Sequence, residues 1–294
     1  MSAPATLAPP PKRRFSSPTT ARALRFGRTR IGIVVTAAIV LVALIGPFVA
    51  PHNPSALVGI PLQPPSGDFP LGTDYLGHDV LSRILWGGRS VVWMAFAAAT
   101  LGVGLGAALG MLAGFSRSRL DDGLMRSMDV ILAFPQIVLV LLFVSMLGSH
   151  LSLIVALVAL AWVPQVARVA RGVTADIVHR EYVQAAEAIG LPRRRILFRE
   201  ILPNVATPLM VEYGLRLTWS IAVIAAVSFL GFGIQPPNAD WGLMINENRG
   251  GITQQPWAVL APAICIALFA IGTNFITEGV SRAVAGVGGG GDDS

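Results

Sequence analysis

The side chains that could do chemistry in this sequence are few and scattered. The four histidines fall in different loops or near the ends of apolar runs, without a pair four residues apart, so they are expected to be isolated surface or interfacial residues. Asp74 and Asp79 could form a pair of catalytic acids. Asp74 is better explained as a turn residue, and Asp79 as a residue in the first turn of a helix. Because no GxxxxGK loop is present to hold nucleotide phosphates, we expect no catalytic residue, metal or cofactor in this chain.

One ionisable pair lies inside an apolar run. Glu212 and Arg216 are four residues apart, on one face of a predicted helix, with the acidic residue in the favourable N-terminal position. Charge at membrane depth costs free energy and tends to face a cavity or a partner. The pair is therefore either a structural ion pair near the inner membrane interface or a gate or lining element of a transport pathway.

The polar segment EYVQAAEAIGLPRRRILFREILPN, residues 181–204, separates two long apolar runs. Apolar and small residues recur there at helical spacing: Val183, Ala186, Ile189 and Gly190. Gly190 is expected to end the helix, since glycine tolerates the left-handed conformation of a helix C-terminus, and Pro192 suits the first turn of a second helix. The pattern predicts a helix, a tight bend and a second helix, available to a soluble partner.

Composition places most of the chain in lipid. Hydrophobic residues make up 53% of the sequence and charged residues only 13%, which is too apolar for a soluble domain of this length. The formal net charge of +6 comes from arginines that flank apolar runs rather than from a basic stripe interleaved with aromatics. This distribution favours membrane topology over nucleic-acid binding, and the fold class predicted is an all-α integral membrane protein.

Six membrane spans are predicted by length and hydropathy. In chain order they run from Ile31 to about Val49, Ser90 to Phe115, Leu124 to Leu147, Leu151 to Ala167, Val205 to Ile234, and Trp257 to Ala283. The glycine-rich second span predicts close helix packing. Apolar positions from Val80 onward predict a short amphipathic helix on the membrane surface before that span.

The spans divide the chain into a transmembrane domain, residues 31–283, between a disordered tail, residues 1–30, and a flexible tail, residues 284–294. Arginine accumulates in the N-terminal tail and in the segment 178–202, whereas the loops 51–88 and 235–256 carry few arginines. By the positive-inside rule both termini and the segment 178–202 are expected in the cytoplasm.

Several separated motifs resemble one transporter family. Gln184-Ala185-Ala186, Gly190 and Ile201-Leu202-Pro203-Asn204 resemble the cytoplasmic EAA loop in the membrane permeases of bacterial ABC importers. Four further stretches resemble the C-type subunit of the dipeptide, oligopeptide and nickel subfamily. They are LGTDYLGHDVLSRILWGGR (71–89), LDDGLMRSMDVILAFP (120–135), SFLGFGIQPPNADWG (228–242) and EGVSR (278–282). The resemblance spans residues 31–282. Gln184 departs from this resemblance, because the EAA motif has glutamate at that position.

The resemblance implies a type I ABC importer permease fold in the bacterial inner membrane, with six transmembrane helices and a cytoplasmic coupling helix. Its implied partners are a B-type permease, two ATPase subunits or one fused ATPase that bind ATP and magnesium, and an extracytoplasmic substrate-binding protein. ATPase coupling is implied for Gln184, Ala185, Ala186, Glu187, Gly190, Arg193 and Arg194.

The expected function is a non-catalytic permease subunit that forms half of the translocation pathway for dipeptides or oligopeptides. A non-peptide ligand, such as a metal chelate or a haem-like molecule, is the alternative within the same family. A stand-alone secondary transporter is less favoured, because neither an inverted repeat nor a midplane cluster of carboxylates is visible. A membrane-embedded enzyme would need a nucleophile or metal ligand that the Glu212 and Arg216 pair lacks.

Overall fold

The computed structural model describes residues 23–116 and 119–285. Within these residues the chain is helical and has no β-strand, only an isolated bridge between Thr73 and Asp79. Of the predicted tails, residues 1–30 and 284–294, the parts 1–22 and 286–294 lie outside the described residues, and Gly27 to Arg30 belong to the first helix. The α-helices of this part of the chain are α1 (Gly27–Val49), α2 (Val80–Phe115), α3 (Arg119–Leu132), α4 (Gln136–Leu147), α5 (Leu151–Val178), α6 (Glu181–Ala188), α7 (Arg193–Ile196), α8 (Leu202–Phe229), α9 (Trp241–Asn248) and α10 (Trp257–Val284).

Five helical stretches within residues 23–116 and 119–285 are long and apolar enough to cross a membrane: α1, α2, α5, α8 with the turns from Arg193, and α10. Helices α3 and α4 meet at 79° and add a sixth span if they form one broken crossing. The break falls at Pro135, which precedes α4 and disfavours the helical conformation of the residue before it. This architecture confirms the predicted all-α membrane fold.

Helix α2 differs from its prediction. The short amphipathic helix expected on the membrane surface is the first part of α2 itself, and its apolar residues Val80 and Ile84 are buried. The helix continues through Gly87 and Gly88, which pack against the loop 235–256, where a Cβ on Gly88 would lie 2.5 Å from the Trp241 ring. The resulting 36-residue helix is about 54 Å long and exceeds the roughly 30 Å of hydrocarbon.

Helices α2 and α5 approach each other through a line of glycines on α2. A Cβ added to Gly102, Gly106, Gly110 or Gly114 would lie 2.9, 2.9, 2.3 or 2.7 Å from the carbonyl oxygens of Ala159, Val163, Ala167 and Arg171, respectively. Both series advance by four residues, so the two helices run parallel with their backbones in contact. Gly104 lies on another face, with nothing within 4 Å of its Cβ position. The glycines of this span thus pack closely, as predicted, except at Gly104.

The apolar interior divides into two main clusters of buried side chains. The larger cluster joins α1, α2, α4, α5, α8, α9 and α10 around residues such as Trp162, Trp241 and Phe269. The second joins the C-terminal ends of α2 and α5 to α6, α7 and the start of α8. Because this second cluster includes the polar segment 181–204, that segment is part of the helical body and not a free loop.

We expect Gly110→Val to lower the free energy of unfolding by about 1–3 kcal/mol or more, because its side chain must displace the α5 backbone. Gly104→Val is the matched control, with the same change in helix propensity and open space around it. Thermal unfolding of the purified proteins in detergent measures the difference. Equal unfolding temperatures for the two variants would contradict the α2–α5 contact.

Candidate functional site

The polar segment folds as the predicted helix, bend and helix. Helix α6 ends in a paired hydrogen-bond motif: the Leu191 amide donates to the Ala186 carbonyl at 3.1 Å, and the Gly190 amide donates to the Glu187 carbonyl at 3.0 Å. Gly190 has a φ of +77°, the left-handed conformation that this motif requires. Pro192 follows as the N-cap of α7, one residue before the helix begins. A π-helical turn, Leu197–Ile201, then joins α7 to α8.

The inner face of this segment is apolar and buried. Its side chains pack with the ends of α2 and α5 in one cluster that includes Val183, Ala186, Ile196 and Ile201 from the segment, Met111 from α2, and Ile177 from α5. Ala186 is only 7% exposed. In this conformation the Ala186 methyl group fills the interior, and the ATPase-coupling role implied for Ala186 stays a prediction.

The outer face of the segment exposes apolar side chains that the helical spacing did not predict there. Ile189, expected on the buried face, is 76% exposed, since it caps α6 where the helical path ends. Phe198 is 61% exposed and Tyr182 is also exposed. The predicted coupling residues on this face are exposed as well: Gln184, Ala185, Glu187, Gly190, Arg193 and Arg194.

The structure gives a reason for glutamine at position 184, where the EAA motif has glutamate. Its side-chain amide donates a hydrogen bond of 3.2 Å to the carbonyl oxygen of His179, the C-cap of α5. An ionised glutamate has no donor and cannot make this bond. Gln184 therefore ties α6 to the end of α5, while the neighbouring Glu187 keeps an acidic group on the segment.

Glu212 and Arg216 form the predicted ion pair halfway along α8. Arg216 Nη2 lies 2.8 Å from Glu212 Oε2, and the two side chains are only 13% and 14% exposed. Arg216 also donates to Gln165 of α5 and stacks over the Trp162 ring at 5.2 Å. Trp162 in turn donates to Ser220 at 2.9 Å. The arginine is thus held by an anion, an amide and an aromatic face at the centre of a membrane helix.

Comparison with protein families decides the class of the chain. Residues 106–286 match the family of binding-protein-dependent transport system inner membrane components, over more than half of the sequence. The chain belongs to this family. It is therefore a permease subunit of an ABC importer, a multi-pass inner membrane protein that works with ATPase and substrate-binding partners.

Curated relatives of the permease share its length. The putative peptide transport system permease protein of Brucella abortus is 35% identical over 263 residues, covering 89% of this chain and 88% of that protein. The dipeptide transport system permease protein DppC of Alkalihalophilus pseudofirmus is 34% identical, covering 86% and 84%. The oligopeptide transport system permease protein OppC of Bacillus subtilis is 32% identical over the same shares. These matches confirm the resemblance expected from the motifs.

The permease also contains a buried polar network that sequence reasoning missed, in the loops opposite the segment 181–204. Asp74 accepts hydrogen bonds from the backbone and ring of His78 and forms an ion pair with Arg83. Arg83 reaches the second loop, where its Nη2 lies 2.9 Å from Glu247 Oε2. Asp79 caps α2 and contacts His52 at 3.3 Å. The expectation of isolated histidines is therefore wrong for His52 and His78.

The two loops are joined at further points along the same interface. The Tyr75 amide donates to Asn248 at 2.9 Å, and the Gln255 side chain donates to the Leu71 carbonyl at 2.7 Å. The buried Trp241 ring donates to the Ile84 carbonyl at 2.9 Å. Together with Arg83 and Glu247, these bonds hold both loops and the first turns of α2 as one folded cap.

Arg83 lies between the carboxylates of Asp74 and Glu247, whose pKa values shift in opposite directions. Burial alone would raise the pKa of Asp74, but the Arg83 charge and the hydrogen bonds from His78 and Arg83 outweigh it and hold that pKa below its usual value. Burial raises the pKa of Glu247, and the attraction of Arg83 only partly offsets this effect. Within the described residues, no three His, Cys, Asp or Glu side chains are grouped to hold a metal ion.

We expect Asp74→Asn to destabilise the cap by about 3 kcal/mol near neutral pH, because Arg83 and His78 lose their buried anion. Asp68→Asn, an exposed position of the same loop, is the control. Since the folded pKa of Asp74 is lowered, its stabilisation is full above its ordinary pKa of about 4 and is lost as pH falls through the folded value. Thermal unfolding of wild type and both variants should show the Asp74→Asn deficit shrinking on acidification. A deficit that widens would contradict this assignment.

Proposed function

We propose that the permease is the C-type subunit of a peptide importer and forms half of the pathway for dipeptides or oligopeptides. The peptide and dipeptide names of its relatives, aligned over nearly the whole chain, support this substrate class. In the proposed complex a B-type permease supplies the other half, two ATPase subunits or one fused ATPase bind ATP and magnesium, and a binding protein delivers the peptide from outside. The chain itself carries no catalytic group or cofactor.

The observation that carries the proposal is the two-faced coupling segment. Its inner face is fixed to α2, α5 and α8 by buried Val183 and Ile196, while its outer face exposes Ile189 and Phe198 to a partner. A displacement of the exposed face of this segment would therefore move α2, α5 and α8 as well, because no flexible linker separates them from the segment. In the proposed mechanism, closure of the ATPases moves this segment, and the attached helices tilt to switch the pathway from outward to inward facing.

The orientation belongs to the same proposal. Arginine is abundant in the segment 178–202 and sparse in the loops 51–88 and 235–256, which supports a cytoplasmic coupling segment and cytoplasmic termini. The folded cap formed by the two outer loops would then face the substrate-binding protein.

Neighbouring alanines on α6 test the docking face. Ala185 is exposed and Ala186 is buried, although both side chains are a single methyl group. In the assembled importer, we expect Ala185→Cys and Ile189→Cys to crosslink to cysteines on the ATPase surface, and Ala186→Cys to remain unreactive. Mass spectrometry of the crosslinked peptides measures the outcome. An assembled complex in which neither exposed position crosslinks would refute the proposed coupling face.

Charge removal at the α8 ion pair tests whether it lines the pathway. Arg216→Gln should lower the free energy of unfolding by about 3–5 kcal/mol, since Glu212 is left buried without its cation. The double variant Glu212→Gln with Arg216→Gln should recover most of that stability, because it leaves no unpaired charge. If the pair lines the pathway, uptake of labelled dipeptide by the double variant stays low at normal membrane levels.

Uptake in that experiment is measured against cells that carry the wild-type chain and cells that lack it. Restoration of wild-type uptake in the double variant would reduce the pair to a structural role. Wild-type cells that take up no dipeptide or oligopeptide beyond the deletion strain would reject the peptide substrate.

A further inference from the structure

A cavity of about 390 Å³ lies beside the coupling segment, between the C-terminal end of α2, the start of α3, and α7 with the turn after it. Its walls are mainly hydrocarbon and are formed by Leu109, Leu112, Phe115, Leu124 and Leu197. Leu112 is half exposed and lies in a membrane-spanning helix, one turn before its end. The cavity therefore lies at the end of a membrane-spanning helix, on the side of the coupling segment.

Two arginines, Arg193 and Arg194, line the same cavity from α7. Neither side chain forms an ion pair with any residue in 23–116 or 119–285. Arg193 also lines a second cavity of about 300 Å³ together with Glu187, whereas Arg194 does not. Of these two cavities, Arg194 therefore lines only the one with hydrocarbon walls, whereas Arg193 lies between the two cavities.

From this juxtaposition we infer that the cavity binds an anionic phospholipid of the leaflet on the coupling-segment side. The leucine and phenylalanine walls match an acyl chain, and the two guanidinium groups at the membrane surface match the lipid phosphate. A free inorganic anion would leave the apolar walls uncovered. An ATPase surface could meet the arginines but would have no acyl chain to match the leucine and phenylalanine walls.

The bound lipid would bridge α7 to the ends of α2 and α3. Its acyl chain would rest on α2 and α3, and its phosphate would hold α7, directly after the Gly190 bend. This assignment gives Arg193 and Arg194 a membrane ligand in place of the ATPase contact expected from the resemblance. It does not depend on the substrate of the importer or on the docking face of α6.

Photo-crosslinking tests the inference in membranes that contain the full-length permease. The probes are phosphatidylglycerol and phosphatidylcholine that carry the same diazirine in one acyl chain, and labelled peptides are mapped by mass spectrometry. We expect phosphatidylglycerol to label residues 109–115 and 193–197 and phosphatidylcholine to label them weakly. Removing one arginine should reduce phosphatidylglycerol labelling about fivefold, and Arg193→Gln with Arg194→Gln about 20-fold or more.

Two matched controls separate this site from general lipid contact. Arg195→Gln and Arg199→Gln remove the same charge from the same segment outside the cavity and should leave labelling unchanged. Leu112→Trp should block the acyl chain while keeping both arginines, whereas Leu105→Trp, two turns away and equally exposed, should not. Equal labelling by the two lipids, or equal losses in the Arg195→Gln with Arg199→Gln variant, would overturn the inference. Undiminished labelling in Leu112→Trp would do the same.

Discussion

Close contact between the backbones of α2 and α5 is the constraint on which the rest of the permease depends. Lipid supplies no hydrophobic drive for two apolar helices to associate, so their contact relies on packing at short range. Four glycines at intervals of four residues provide that packing along the parallel helices. Because α2 begins in the folded cap at Asp79 and α5 ends at the coupling segment, this contact joins the two faces of the protein.

The polar groups are arranged around this helix pair according to their distance from water. At one end Arg83 forms buried ion pairs with Asp74 and Glu247 between the two loops. Halfway along α8, Arg216 is surrounded by Glu212, Gln165 and Trp162, all from α5 or α8. At the other end buried apolar side chains, among them Val183 and Ala186, fix the coupling segment, and the Arg168–Asp129 ion pair on that side is exposed. The protein therefore has a buried ionic joint in the cap and a hydrophobic joint at the coupling segment.

Local sequence patterns were sufficient for features that depend on nearby residues. The apolar spans, the Gly190 bend and the Glu212–Arg216 pair follow from hydropathy, backbone freedom and helical spacing. The Arg83–Glu247 ion pair joins residues far apart in the chain, so neither loop alone could predict it. Side-chain periodicity also failed near helix ends: Ile189 is exposed where α6 stops, and the short surface helix predicted from Val80 is the first part of α2.

Burial of the ion network around Arg83 has a consequence for the environment in which the cap works. Mobile ions screen exposed charges over about 8–10 Å at ordinary ionic strength, but they do not enter a site from which water is excluded. Arg83 and its two carboxylates are almost fully buried, whereas the Arg168–Asp129 pair at the other side of the protein is more than half exposed. The cap should therefore keep its shape as the salt concentration around it changes.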